Sequence, residues 1–180
     1  RYTLHAPVMF LRTAERPAEA VARRVPFGAW LDGTARLDDR GPTGSDLHLH
    51  LGTLFPAVRL RGFLEIRYLD ISEARWWPAV ACALTVLMDD PVAADAAAEA
   101  TESTAGHWGQ AARWGLRDRR LLASARACLE IAAAHAPAEL AVAVSDLAEL
   151  VSGGRCPGDL ACARIAEVGP GRTFEEMARA

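Results

Sequence analysis

An α+β fold is the expectation for this chain, and three observations carry it. The segment around residue 65 alternates at a period of two, as a strand does. From about residue 76 onward, apolar residues recur at helical spacing. No apolar run approaches the length of a membrane-spanning helix. At 180 residues and 51% hydrophobic, the chain is large enough to bury a real core and too apolar to be disordered throughout. Its formal charge of −3 offers no general attraction for nucleic acid.

Residues 1–12 form a nearly continuous apolar run that reads as a buried strand or a helix end, with Pro7 against an unbroken helix. The run begins at Arg1, without methionine, so a piece of a longer protein is expected. Residues 17–24 have helical composition. Phe27 to Trp30 is an aromatic patch, and residues 31–45 read as a loop or short hairpin. Asp32, Asp38, Asp39 and Asp46 border that loop and read mostly as solvated. Residues 46–56 are apolar and carry His48 and His50, which would share a face on a strand. On the strand from Phe63 to Leu69, Phe63, Glu65, Arg67 and Leu69 share a charged front; Leu64, Ile66 and Tyr68 form an apolar back.

The remainder reads as helices. Pro78 suits a first turn and begins the apolar run through Met88. A second helix reaches about Thr101. Asp118 caps a third, with Leu121, Ala125, Cys128, Leu129 and Ala132 in one stripe. Pro137 opens another, with Leu140, Val144, Leu147 and Val151 on one face, stopped at Gly153-Gly154. Residues 157–168 form one more, and Thr173 and Glu176 have capping-box spacing for a last short one. The organisation is a strand-and-loop site region over 1–75 and a helical layer over 76–180. Trp76, Trp77 and Trp108 read as packing anchors, and Arg113 to Arg120 as a solvated helix start. The four cysteines form no C-x-x-C pair and read as reduced thiols of a cytoplasmic protein.

The chemistry concentrates near Glu65. A carboxylate and the Arg67 guanidinium, two residues apart on one strand face, either pair with each other or line a cleft. In a cleft the carboxylate offers hard oxygen to Mg²⁺ and the arginine clamps a phosphate or carboxylate. Arg59, Arg61 and Arg67 place three arginines within nine residues, and Gly62 permits close backbone approach. The same arginines could equally be an exposed basic edge. His48 and His50 lack a third metal ligand nearby.

The stretch His50-Leu-Gly-Thr-Leu-Phe-Pro-Ala-Val-Arg-Leu-Arg-Gly-Phe-Leu-Glu-Ile-Arg-Tyr-Leu-Asp70 resembles the signature of glutamate–cysteine ligases. The nearest branch is the actinobacterial one serving ergothioneine synthesis. Tyr2 to Met9 and Arg155-Cys-Pro157 are similar to further stretches of that branch. His5 stands where the branch has an acidic residue, Gly52 where it has threonine, and Leu60 where it has proline. The resemblance implies a glutamine-synthetase-like curved antiparallel sheet backed by helices, of which this chain is the C-terminal portion. It implies ATP-dependent joining of the glutamate γ-carboxylate to cysteine through γ-glutamyl phosphate. Glu65 matches the Mg²⁺ ligand; Arg67 matches a catalytic position facing the ATP phosphates or the acyl phosphate, and Arg61 one near a substrate carboxylate or phosphate. Arg59, His50 and Tyr68 fall among the substrate- or ATP-contacting positions. ATP and Mg²⁺ are the implied co-substrate and cofactor, with no nucleic-acid or membrane partner. The early metal-binding carboxylates have no counterpart here, so a missing N-terminal segment or a partner chain would complete the site. Two alternatives stay open: a γ-glutamyl ligase with another amine acceptor, and a non-catalytic fragment.

Overall fold

The computed structural model describes residues 2–13, 18–60, 62–69 and 72–179. The chain divides into two compact units, Arg1–Leu69 and Asp70–Ala180.

Unit 1 runs α1 (Tyr2–His5), β1 (Phe10–Leu11), β2 (Glu19–Ala20), α2 (Phe27–Leu31), α3 (Gly44–Thr53), β3 (Val58–Leu60) and β4 (Leu64–Ile66). Among the described residues the strands form two antiparallel pairs, β1 with β2 and β3 with β4. The α+β expectation therefore holds at the level of class. Residues expected to be helical supply β2 instead, because Val8 and Val21 donate backbone hydrogen bonds to Val25 and Met9, outweighing a weak local preference. The core gathers Val8, Leu11, Val25, Phe27, Trp30 and Leu37.

One ion pair ties the loop to α3. Asp46 is 3% exposed, so its expected solvation is corrected. Arg40 donates to both its oxygens, at 2.7 and 3.0 Å. The Thr43 backbone N–H and hydroxyl add bonds of 2.8 and 2.6 Å, and the Asp46 N–H returns one to the Thr43 hydroxyl, closing a capping box. Arg40 also donates to the Arg12 carbonyl and lies over the Trp30 ring, whose Nε1 donates to the Arg40 carbonyl. The box starts a helix where a strand was weighed. His48 and His50, two residues apart on a helix, then diverge: His48 is exposed and His50 buried.

Unit 2 is helical: α4 (Trp77–Asp89), α5 (Pro91–Thr101), α6 (Trp108–Trp114), α7 (Arg119–His135), α8 (Ala138–Ser152), α9 (Pro157–Val168) and α10 (Pro170–Arg179). Helices α4, α5, α7 and α8 enclose Ala79, Cys82, Ala83, Val86, Ala93, Ala132, Val144, Leu147 and Val151. Small residues at the contacts let the helix axes approach closely. Asp90 caps α5 and reaches His135 at 3.1 Å; the Ala93 N–H, then His135, hold its carboxyl below the usual range. Asp118 caps α7 as expected. Thr173 is no cap; it is buried inside α10 with its hydroxyl on the Gly169 carbonyl. Its expected partner Glu176 instead pairs with Arg164 at 2.8 Å. Trp76 packs against the core, but Trp77 and Trp108 are exposed rather than anchors. Of the free cysteines, Cys82 is buried and Cys162 exposed. Among the described residues no helix is long and apolar enough to cross a membrane.

Asp46→Ala should destabilise unit 1 by about 1–3 kcal/mol, because it removes the α3 capping box and the partner of a part-exposed Arg40, and denaturant titration measures it. Arg40 and Thr43 together hold the Asp46 carboxyl well below the usual carboxylate range. Its stabilisation is thus fully present above the unfolded-state value near pH 4 and lost as pH falls toward the depressed folded value. In Asp46→Asn that acid-labile contribution should vanish, and the fall in stability below about pH 5 should flatten.

Candidate functional site

The residues singled out around Glu65 lie on the β3–β4 hairpin. Its register places Arg59 opposite Glu65 and Val58 opposite Ile66. Opposed residues share a face, so Arg59 and Glu65 stand on one side and Val58 and Ile66 on the other. Gly62 lies in the turn at φ +78°, with open space where a Cβ would be. Glycine is required there for its backbone angle and not for close approach. Arg61 and Asp70 lie outside the described residues.

Arg59 grips Glu65 with both ends of its fork, Nε to Oε2 at 2.7 Å and Nη2 to Oε1 at 3.0 Å. Arg67 approaches the same carboxylate from the other side, Nε to Oε1 at 3.8 Å. Its backbone N–H donates to the Ala57 carbonyl, and its guanidinium lies 4.9 Å from the centroid of the Phe55 ring. Phe55 is the residue that sequence reasoning missed. Its signal was an aromatic directly before Pro56 at the entrance to the hairpin.

Seated between ring and carboxylate, Arg67 keeps Nη1 buried without a hydrogen-bond acceptor. A buried guanidinium N–H with nothing to donate to is costly, so an anionic oxygen arriving there has a donor waiting. Among the described residues, two guanidiniums stand about this one carboxylate, so the group they form is net positive. Tyr68 follows, half exposed.

His50 is elsewhere. It is 1% exposed, stacked on Phe27 with centroids 4.7 Å apart and planes at 13°. Its Nε2 is 2.9 Å from the Thr3 carbonyl. A carbonyl only accepts, so Nε2 carries the proton and Nδ1 is the buried lone pair left without a partner. In unit 1 the ring is thus held by Phe27 and the Thr3 carbonyl. Among the described residues no three His, Cys, Asp or Glu side chains gather as metal ligands would. Glu65 is one engaged carboxylate, and a complete Mg²⁺ coordination set is not formed by these side chains.

A carboxylate clamped by arginines with one guanidinium donor unclaimed has the chemistry to accept an anionic oxygen. The chain belongs to glutamate-cysteine ligase family 2, which it matches over residues 1–176. It is 46% identical over 179 residues to the protein named glutamate–cysteine ligase EgtA of Mycolicibacterium smegmatis, covering 99% of this chain and 42% of that relative. It is 50% identical over 160 residues to the protein of the same name from Mycobacterium tuberculosis, covering 88% of this chain and 37% of the relative. The chain thus spans less than half the length of these curated relatives. No solved structure matches it.

Gly62→Ala should cost about 1–2 kcal/mol through the left-handed turn alone. Equilibrium unfolding followed by hairpin-sensitive amide exchange would read it.

Proposed function

We propose that this chain carries the arginine-rich part of an ATP-dependent glutamate–cysteine ligase site, and that the unclaimed Nη1 of Arg67 receives an oxygen of the phosphoryl group. The observation carrying this reading is that buried donor, fixed by Phe55 on one side and Glu65 on the other. In the reaction, a glutamate γ-carboxylate oxygen attacks the γ-phosphorus of ATP and the bond to ADP breaks, giving γ-glutamyl phosphate. The cysteine amine then attacks the acyl carbon and inorganic phosphate leaves, with one proton released. Charge builds on the phosphoryl oxygens in the first step, and a donor already oriented toward them is worth most there. Arg59 holds Glu65, and Glu65 in turn orients the Nε edge of Arg67. Arg61 stands in the same role toward a substrate carboxylate or phosphate, and Tyr68 borders the site. His50 acts on it only through the packing of unit 1.

Family membership implies Mg²⁺, for which Glu65 would supply one oxygen; the metal would neutralise phosphate charge. The remaining ligands come from residues beyond those described, in a chain the length of the relatives. This reading makes the 180 residues the C-terminal portion of one catalytic domain whose curved antiparallel sheet, of glutamine-synthetase type, extends β3–β4. An isolated two-stranded ribbon is marginal in water, and half of Leu64 lies uncovered on the apolar face. It also places the enzyme in the cytoplasm, where ATP and reduced cysteine occur, in low-molecular-weight thiol synthesis. The absence of a gathered acid cluster among the described residues favours a second statement: the 180-residue chain does not turn over alone.

ADP release by the natural gene product, with glutamate, cysteine and Mg²⁺, tests this. Arg67→Lys and Glu65→Gln should each lower kcat by about 10²–10³, and the isolated 180-residue chain should release no cysteine-dependent ADP. Full turnover by Arg67→Lys would sink the assignment. Equal rates with other amines would move the acceptor away from cysteine while leaving Arg67 in place.

A further inference from the structure

Unit 2 segregates its charge. Helices α5 and α8 contain no basic residue. The stretch from α6 into α7 carries Arg113, Arg117, Arg119 and Arg120, all exposed. Nearby acids offset these four only partly: Asp118 caps α7 and lies 3.7 Å from Arg120, and Asp159 feels Arg117.

Beside this basic corner is an apolar cleft of about 300 Å³, walled by Thr101, Gly106, His107, Trp108, Ala111 and Leu121. Both threonine hydroxyls of its lining are engaged, Thr101 donating to the Ala97 carbonyl and Thr104 to the Thr101 carbonyl. Helix α6 buries none of its residues, and Trp108 is 66% exposed. Trp108 and Ala111 share α6 with Arg113, and Leu121 directly follows Arg119 and Arg120 on α7, so cleft and arginines stand on the same elements, which suits an apolar side chain flanked by carboxylates.

The outer face of α8 has that pattern. Glu139, Val142, Asp146 and Glu149 follow at steps of three, four and three, one stripe of a helix. The opposite face buries Val144, Leu147 and Val151. Val142 is 72% exposed, the most exposed large apolar side chain among the described residues, with carboxylates on both sides of it. Helix α5 shows a weaker version, with Val92 at its first turn and acids on one side of it only; its Thr101 is moreover part of the cleft wall.

We infer that unit 2 is an interaction surface for a second copy of this chain: Val142 of one copy enters the Trp108 cleft of the other, and the α8 carboxylates meet Arg113, Arg117, Arg119 and Arg120. The match in charge sign, helical spacing and apolar centre selects this occupant. The inference does not depend on the ligase reading.

Sedimentation velocity on the natural gene product, in which any further segment of the protein is present to cover these faces, tests it. At low ionic strength the chain should self-associate, and association should weaken as salt rises from about 0.05 to 0.5 M. Val142→Asp should weaken it at least tenfold, at roughly the scale of a lost interface centre, with an unchanged melting curve because Val142 is exposed. Reversal of the α8 acids (Glu139→Arg, Asp146→Arg, Glu149→Arg) should abolish it, as should reversal of the corner (Arg113→Glu, Arg117→Glu, Arg119→Glu). Mixing the two reversed chains should restore it, since each then offers the charge the other lacks. A wild-type chain that stays monomeric at about 100 µM and low salt overturns the inference, leaving the corner to a different acidic partner. So does self-association that neither reversal touches, or reversed chains that fail to recover on mixing.

Discussion

The Arg40–Asp46 pair is the constraint on which unit 1 rests. An unpaired carboxylate at 3% exposure could not survive, so each of its partners is committed in place. Arg40 cannot shift without exposing that charge, and Arg40 also carries the Arg12 carbonyl, the Trp30 ring and the Trp30 N–H. The pair therefore couples the start of α3, the loop before it, the end of the first strand pair and the largest side chain of the core. Helix α3 in turn delivers the chain to Phe55 and the hairpin. Such a pair is not a large net source of stability compared with apolar packing; it makes alternatives costly, because any rearrangement leaves the buried carboxylate of Asp46 without its partner.

The hairpin shows the opposite economy. Its ion triad is partly open to solvent, its turn depends on one left-handed glycine, and its apolar side is incompletely covered. Among the described residues, the pairing of Arg59 with Glu65 and the seat of Arg67 on Phe55 and Glu65 tie its side chains together. Those contacts fix charge positions and leave one donor unspent, which is useful for binding an anion and unhelpful for stability by itself.

Much of unit 2 was legible in the sequence because its signals are local. Proline at a first turn, aspartate at a cap and glycines at a stop define α4, α5, α7 and α8, and residues 157–168 emerge as α9 with those bounds. Helix α6 was invisible: seven residues with no buried face leave no periodicity to read. In unit 1 the legible part was the alternation around Glu65. The depth of Asp46 and the burial of His50 were not, since both depend on partners distant in the chain, and a histidine in an apolar run reads alike as ligand or as core. Capping-box spacing at Thr43 and Asp46 was the overlooked clue to α3. At Thr173 the same spacing misled, because a helix begun at Pro170 had already absorbed it.

The contact between His50 and Thr3 spans 47 residues of chain. A single turn such as α1 has no independent stability, since so few residues cannot repay helix nucleation. Its C-terminal side is closed by a ring that is synthesised only after the loop, the aromatic helix and most of α3. On the ribosome, the first turn of this unit therefore waits for one of the later residues of α3 to emerge.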